Sequence, residues 1–210
     1  MSSYKIFDIC GTLYNSNTTM DFCEWRCDSL ILKSLLRLSK TLPLKVVNKI
    51  LIKLFHFDFI RVFHIYTLKN QTVEQIKLDS LNFVDAFLEF KKIDQAHEQL
   101  VRFKRDNILL VSATIEPVAK AIAERLGNIE YLSTTLDCES GVYLGKISED
   151  LLGKKHQYFH DKKIDFIMTD NKSDYKLCLM SKEINIVSKK KNLAFWKSKK
   201  LKNYKIIKVQ

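Results

Sequence analysis

Carboxylate and hydroxyl side chains stand at the points where short apolar runs of the sequence end. Asp8 closes the first of these runs and is followed by a turn that contains Gly11. A glycine in such a turn lets backbone N–H groups approach an anion closely. A second run leads into Ser112-Ala113-Thr114, at the expected mouth of a helix N-terminus, where a hydroxyl and free amides can hold phosphate oxygens. These residues could supply a nucleophile and an anion cradle.

Two further groups could supply a cation site and a counter-charge. Asp170 and Asp174 follow a third apolar run and are four residues apart, which is a spacing that suits a hard cation. Ahead of that run, Lys154 and Lys155 each offer an ammonium group. We favour Lys155, because Phe159, one helical turn further on, would anchor the segment to the core. Nucleophile, cradle, cation site and counter-charge are together the parts that phosphoryl transfer requires.

The elements that must position these residues are predicted to be the strands and helices of an α/β protein. The apolar runs predict buried parallel strands at Lys5–Ile9, Ile108–Val111, Ile164–Met168 and Ile184–Val187, with a hairpin at Leu136–Gly145 and an edge strand at Tyr204–Lys208. Glu116–Leu126, with Pro117 in its first turn and Gly127 after its end, predicts a crossover helix. This order indicates a Rossmann-like open parallel sheet, whose ligand sites lie at the carboxyl ends of the strands.

The stretch between the first two predicted strands is too long for a loop and must carry its own structure. We expect a helical insert at residues 15–89, on a core made of residues 1–14 and 90–210, with a helix at Asp94–Arg105 leading back to the core. Within the insert, apolar residues from Val46 to Phe55 recur at helical spacing, and Lys45, Lys49 and Lys53 repeat every fourth residue. We expect this apolar stripe to pack inside the insert, and a membrane-surface role is the alternative.

Taken together, these motifs resemble those of the haloacid dehalogenase (HAD) superfamily, and in particular its phosphoserine phosphatase-like branch with a helical cap. The resemblance implies that Asp8 attacks phosphorus in line and that Lys155 neutralises the developing charge. It implies that Mg²⁺ is the cofactor. The implied metal ligands are Asp8, the backbone carbonyl of Cys10, Asp170 and Asp174, where Asp174 could instead orient the lysine. The implied phosphate-binding residues are Thr12, Ser112, Ala113, Lys155 and Asn171.

The sequence departs from the family pattern at Cys10. Phosphatases of this superfamily usually carry a second aspartate there, which acts as the general acid and base. A thiol is a weak hydrogen-bond donor and a poor base near neutral pH. We therefore expect Mg²⁺-dependent hydrolysis of a small phosphate monoester, such as an amino-acid, sugar or polyol phosphate. The alternatives are a phosphotransferase with a long-lived aspartyl-phosphate, and a non-catalytic module that binds a phospho-ligand or nucleic acid.

Composition bounds the class of partner and the compartment. The net charge of +11 is spread over the chain without a recognisable nucleic-acid motif, so we expect a small phosphorylated metabolite rather than nucleic acid. No apolar run is long enough for a membrane-spanning helix, although weak association with a membrane surface stays open. Five cysteines without a disulfide spacing, and the absence of a signal-like start, predict a cytoplasmic protein.

Overall fold

The computed structural model describes residues 3–55, 57–103 and 107–209, and its centre is a seven-stranded sheet. The strands are β1 (Ser3–Phe7), β2 (Ile108–Ile115), β3 (Glu130–Glu139), β4 (Val142–Glu149), β5 (Lys163–Thr169), β6 (Ser181–Lys189) and β7 (Tyr204–Val209). Their order across the sheet is β4-β3-β2-β1-β5-β6-β7, and every neighbouring pair is parallel except β3 and β4. The predicted open α/β sheet is confirmed, with β7 as its edge strand and β3–β4 as its hairpin.

The middle strands are mostly apolar because both faces of the sheet are covered. Successive side chains of a strand point to opposite faces. Phe7 and Phe166 accordingly belong to the apolar cluster on one face, whereas Ile6 and Ile167 belong to the cluster on the other. β1 lies between β2 and β5, so its carboxyl end opens at the centre of the sheet.

The insert between β1 and β2 is helical, as predicted. Its helices are α1 (Thr18–Trp25), α2 (Leu30–Ser39), α3 (Leu42–Phe55), α4 (Phe59–Tyr66) and α5 (Val73–Phe83), followed by single turns at Val84–Leu88 and Glu89–Lys91. The Asn15 amide donates to the Lys91 carbonyl (2.7 Å) and the Ile93 amide to the Leu13 carbonyl (2.9 Å), so the two ends of the insert meet. The division at 14/15 and 89/90 remains a prediction that these bonds support.

The insert is attached to the core through shared packing. Phe22 of α1 and Phe83 of α5 belong to the same buried cluster as Phe7 of β1. The next helix, α6 (Asp94–Arg102), leads back to β2. It ends three residues before the predicted end at Arg105, and residues 104–106 lie outside the described part of the chain.

The helices that follow β2 are short. They are α7 (Glu116–Arg125), α8 (Tyr175–Leu179) and α9 (Leu193–Lys197), with 3-10 turns at Lys155–Phe159, Lys172–Asp174 and Lys190–Asn192. α7 is the predicted crossover helix, with Pro117 in its first turn, and Gly127 beyond its end adopts a φ of 95° that favours glycine. Among the described residues, no helix combines the length and the apolar character needed to cross a membrane.

The prediction that the apolar stripe of α3 packs inside the insert is wrong. Val46, Val47, Ile50 and Leu54 are exposed, and the buried residue of this helix is the polar Asn48. The Asn48 amide donates to Asp58 Oδ1 (2.9 Å), and its Oδ1 accepts the Ile60 amide (3.2 Å). These bonds at the start of α4 set which face of α3 turns inward, and that face is not the most apolar one.

Candidate active site

Asp8 lies directly after the last residue of β1 and is buried. Its backbone amide donates to the Met168 carbonyl of β5 (2.9 Å), which fixes the chain as it leaves the sheet. Its carboxylate Oδ1 accepts the Ile9 amide (2.8 Å), and its Oδ2 contacts Lys155 Nζ (2.7 Å). The Ser112 side chain of β2 lies close enough to this carboxylate to help lower its pKa. The predicted convergence of strand ends on Asp8 is therefore present.

Lys155 is buried to 2% exposure, and its ammonium lies between two carboxylates. Nζ contacts Asp8 Oδ2 at 2.7 Å and Asp174 Oδ2 at 2.8 Å. The same Asp174 oxygen accepts the Thr169 hydroxyl (2.7 Å). Phe159 is fully buried in the core as expected, whereas Lys154 is exposed. The geometry thus selects Lys155 over Lys154, and it places Asp174 as the residue that orients the lysine.

Asp170 follows β5 and lies close to the turn after Asp8. Its carboxylate packs against Gly11, where an added Cβ would overlap Asp170 Oδ2. Gly11 has a φ of +71°, so both its backbone conformation and the space around it require glycine. The Asp170 amide donates to Thr12 Oγ1 (2.9 Å), whose hydroxyl donates to Asp170 Oδ1 (3.3 Å).

These bonds correct the role expected of Thr12. Its side chain is fully buried and committed to Asp170, and it is not among the residues that line the cleft above Asp8. Thr12 therefore holds the Asp170 loop against the turn after β1, and it does not reach into the space where a phosphate would bind.

The secondary structure at Ser112, Ala113 and Thr114 also differs from the prediction. They lie within β2, which continues to Ile115, where its pairing with β3 is irregular, rather than at a helix N-terminus. The Thr114 amide donates to Ser112 Oγ (3.4 Å) and the Ile115 amide to Thr19 Oγ1 (3.2 Å), so these two amides are not free. Ser112 and Ala113 still line the cleft, as does Asn171, whose Oδ1 accepts the Ser173 amide (3.0 Å).

Cys10 lines the cleft next to Asp8 and Asp170. Its thiol donates to the Ser16 carbonyl (3.0 Å). Burial, with the nearby carboxylates of Asp170 and Asp8, raises the pKa of Cys10 to about 12. The side chain is therefore a neutral thiol that already has an acceptor, and it does not resemble a carboxylic acid in either proton transfer or charge.

A cleft of about 430 Å³ opens over Asp8 between the sheet and the insert. Residues of the insert line its outer part, and they are Asn17, Thr18, Thr19, Met20, Asp58 and Arg61. Thr18 Oγ1 lies 2.7 Å from Thr114 Oγ1, which joins the start of α1 to the end of β2.

Arg61 is the residue that the sequence reasoning missed. It is buried on α4, donates through Nη1 to both oxygens of Asp150 (2.7 Å each), and donates through Nη2 to the Ala113 carbonyl (2.8 Å) and to Thr134 Oγ1 (3.0 Å). It therefore ties the insert to the strand that carries Ser112. Its one signal in the sequence is a charged arginine within a mostly apolar helix.

Comparisons with known proteins connect this geometry to one fold. No protein-family model matches the sequence, and no curated protein matches it. Among solved structures, a protein of unknown function from Bordetella pertussis Tohama I shares 14% identity at a TM-score of 0.69, over 98% of this chain and 99% of its own.

Two further structures carry descriptive names. A HAD family hydrolase from Salmonella enterica subsp. enterica serovar Typhi aligns at a TM-score of 0.64 with 13% identity, over 93% of this chain and 65% of its own. A phosphoserine phosphatase in apo form aligns at 0.53 with 14% identity, over 89% and 86%. This chain has the HAD fold. The predicted likeness to the phosphoserine phosphatase-like branch is confirmed at the level of the fold.

The ionisable side chains of this HAD-fold site include more carboxylates than ammonium groups. Three carboxylates, Asp8, Asp170 and Asp174, face one ammonium group, that of Lys155. Burial raises the pKa of Asp8, against the opposing attraction of Lys155, and burial with the charge of Asp8 raises the pKa of Asp170 to about 7. Burial alone would lower the pKa of Lys155, but Asp174 and Asp8 outweigh it and raise that pKa.

The donor set of this site fits a magnesium ion. Mg²⁺ prefers oxygen ligands and commonly uses one or two carboxylates while it keeps several waters. Asp8 and Asp170 offer two carboxylates of raised pKa, which a cation would relieve, and the Cys10 backbone adds a carbonyl. No group of three or more His, Cys, Asp or Glu side chains suited to a metal occurs among the described residues. A magnesium ion that takes only one or two carboxylates from the protein and several waters is compatible with that finding. A zinc site with four side-chain ligands is not.

Proposed function

We propose that this protein is a magnesium-dependent phosphatase that hydrolyses a small phosphate monoester through an aspartyl-phosphate on Asp8. One observation carries the proposal: the Asp8 carboxylate lies at the floor of the cleft, with Lys155 on one side and Ser112 on another. A buried carboxylate that is paired with a lysine and still open to a cleft is suited to nucleophilic attack.

The first step transfers the phosphoryl group from the substrate to Asp8. A carboxylate oxygen of Asp8 attacks phosphorus in line, a new O–P bond forms, and the bond from phosphorus to the substrate oxygen breaks, with that oxygen taking a proton from water. In the second step a water molecule attacks the phosphorus of the aspartyl-phosphate, the bond between phosphorus and the Asp8 oxygen breaks, and inorganic phosphate and the free carboxylate result. The Lys155 ammonium, 2.7 Å from Asp8 Oδ2, reduces the repulsion between the carboxylate and the incoming anion. Asp174 holds Lys155 in that position, and the Ser112 hydroxyl lies near Asp8 on β2, where it lines the cleft.

Magnesium would be held by Asp8, Asp170 and the backbone carbonyl of Cys10. When bound, it supplies positive charge to the phosphoryl oxygens. Thr12 keeps Asp170 in place through two hydrogen bonds, and Gly11 leaves room for the Asp170 carboxylate. In this proposal Asp174 orients Lys155 through its Oδ2, which accepts from Lys155 and Thr169, while its Oδ1 has no hydrogen-bond partner among the described residues.

The substrate is proposed to be a small phosphorylated metabolite. The cleft of about 430 Å³ is lined on the side of the insert by residues that include the polar Asn17, Thr18 and Thr19. Such a lining suits a polar leaving group, and an amino-acid, sugar or polyol phosphate would fit that description.

A phosphate-release assay on a panel of these metabolite phosphates, with and without Mg²⁺, tests the proposal. Asp8→Asn should abolish release, because the amide is not a nucleophile, while Asp161→Asn, an exposed carboxylate outside the site, should leave it unchanged. Release that persists in Asp8→Asn would place the chemistry elsewhere. No release from any substrate, with intact folding and phosphate binding, would favour a non-catalytic phospho-ligand module.

A phosphotransferase is the second candidate, and Cys10 is the observation that favours it. The thiol donates to the Ser16 carbonyl and has no carboxylate with which to activate water. General acid–base help contributes about 10²–10⁴ in rate, so the aspartyl-phosphate would persist until an acceptor alcohol arrives. Trapped ³²P-labelled protein should lose its label slowly in buffer and quickly when acceptor alcohols are added. Rapid loss in buffer alone would exclude the transferase.

A further inference from the structure

Apolar side chains stand exposed along one face of α3. Leu42, Val46, Ile50 and Leu54 recur every fourth residue, and each is more than half exposed. With 3.6 residues per turn they form one stripe along the helix. The buried Asn48 lies on the opposite face, where it is bonded to the start of α4. The exposure of the stripe is therefore fixed by the anchoring of this helix.

The neighbouring helix also carries exposed apolar side chains. Leu35 and Leu38 of α2 are exposed, and they share an apolar cleft of about 210 Å³ with Leu44, Phe59 and Phe63. The cleft lies on the Leu44 side of α3, so the hairpin of α2 and α3 exposes apolar area beyond the stripe itself. We call the following six side chains the hairpin patch: Leu35, Leu38, Leu42, Val46, Ile50 and Leu54.

The charged residues of the hairpin segment itself all have one sign. Residues 29–57 contain six lysines and arginines and no aspartate or glutamate. Lys45, Lys49 and Lys53 are exposed and repeat every fourth residue beside the stripe of α3. Within the described residues these three form no ion pair, whereas Arg37 of α2 and Lys40, directly after α2, are paired with Glu24. An apolar stripe bordered by unpaired lysines is the pattern of a helix that lies in a membrane interface.

We propose that the α2–α3 hairpin docks on an anionic lipid surface through the hairpin patch, with the lysines at the headgroups. A second copy of the chain is a poorer occupant, because face-to-face packing would bring two sets of like charges together. α3 has 14 residues and is about 21 Å long, which is too short to span a bilayer core of about 30 Å. The hairpin therefore lies along the surface, and its lysine stems extend toward the lipid phosphates.

The docking surface is connected to the cleft by one residue. Asp58 accepts the Asn48 amide of α3, caps α4, and lines the cleft together with Arg61. Membrane docking would therefore act close to the mouth of the site. The proposal does not depend on catalysis, so a failure of either proposal leaves the other standing.

Vesicle co-sedimentation of the full chain tests the proposal. The probes are phosphatidylcholine vesicles with and without 30% phosphatidylglycerol, at low and high NaCl. We expect binding to the anionic vesicles that weakens with salt, and much weaker binding to the neutral ones. Equal binding to both compositions, or no binding to either, would overturn the proposal.

Two matched triple variants separate the effect of the lysines beside the hairpin patch from the effect of net charge. Each lysine near an anionic surface contributes about fivefold in affinity, so Lys45→Gln, Lys49→Gln and Lys53→Gln together should weaken binding about 100-fold. The control triple changes three exposed lysines near the chain end. Its members are Lys200→Gln, Lys202→Gln and Lys205→Gln. An equal loss in both triples would show attraction by net charge alone and overturn the proposal.

A second pair of triple variants tests whether the apolar side chains of the hairpin patch contribute to binding. Val46→Gln, Ile50→Gln and Leu54→Gln should abolish most of the binding without unfolding, because all three side chains are exposed. The control triple is Phe90→Gln, Val101→Gln and Leu179→Gln, which are exposed apolar residues elsewhere. An unchanged affinity of the patch triple, with circular dichroism that confirms folding, would refute insertion.

Two further measurements locate the contact. Tryptophan fluorescence of Leu54→Trp should be quenched by brominated lipids, and that of Val101→Trp should not. Sedimentation equilibrium reports self-association. A concentration-dependent dimer that the patch triple dissolves would assign the surface to a second copy and overturn lipid docking.

Discussion

Removing the ammonium of Lys155 should destabilise the fold itself. Nζ lies 2.7 Å from Asp8 and 2.8 Å from Asp174, and all three side chains are buried. Loss of one partner from a buried ion pair costs about 3–5 kcal/mol, because it leaves uncompensated charge in the interior. In Lys155→Met the methionine side chain matches the four-atom stem of lysine and lacks only the ammonium group. The loss of charge is therefore the main change.

Urea unfolding in metal-free buffer measures this loss. With a denaturant slope of roughly 3 kcal/mol/M, at the upper end for small proteins, the midpoint should fall by about 1–1.7 M. Lys154→Met, the exposed neighbour, is the matched control and should fall by less than about 0.2 M, consistent with surface substitutions. Adding Asp174→Asn should recover part of the loss, since one of the two unpaired charges is removed.

The pH dependence of Lys155→Met gives a second check. Without the lysine, the attraction that lowers the pKa of Asp8 is gone, and that pKa rises further above its ordinary value of 3.8. A carboxyl with a raised folded pKa loses its stabilising contribution as pH rises through that pKa. The deficit of Lys155→Met should therefore be larger at pH 8 than at pH 5. A midpoint equal to that of the unmodified chain at both pH values would refute the buried charge cluster.

Three more predictions concern the turn after β1 and the join between insert and core. Cys10→Asp should keep Mg²⁺ binding and raise phosphatase turnover on an activated ester by up to about 10²–10⁴, and an unchanged rate in a folded protein would show that the thiol is not the limiting group. Gly11→Ala should lower both stability and Mg²⁺ affinity, because its Cβ overlaps Asp170. Gly141→Ala, with a similar φ of +77° and open space, should cost only about 1 kcal/mol of backbone strain, so equal losses in thermal melts would contradict the clash. Arg61→Met should lower unfolding stability by about 2–3 kcal/mol through its lost charged hydrogen bonds, and a change under about 0.5 kcal/mol would show that insert and core are joined elsewhere.

The sheet and the convergence of Asp8, Ser112 and Asp170 could be predicted because few local rules determine them. Apolar runs of strand length mark the buried strands, and the carboxyl ends of parallel strands meet at one edge. A polar residue that directly follows such a run must therefore lie near that edge. The choice of Lys155 also followed from a local rule, since Phe159 one turn later had to reach the core.

Roles that depend on partners distant in the sequence could not be read in this way. The Thr12 hydroxyl can turn toward a phosphate or toward Asp170, and only the fold shows that it turns to Asp170. Arg61 joins three segments, through Asp150, Thr134 and the Ala113 carbonyl. None of these pairings leaves a periodic pattern in the sequence.

The error on α3 has a more general cause. Hydrophobic periodicity shows that a helix has an apolar face, but it does not show whether that face turns to the core or to another phase. Here the inward direction is set by one polar residue, because Asn48 has two hydrogen-bond partners at the start of α4 and a buried amide without partners is costly. Once Asn48 faces inward, Leu42, Val46 and Ile50 must face outward, together with the lysines beside them. An apolar stripe kept outside by such an anchor is better explained by an apolar environment outside the protein than by imperfect packing within it.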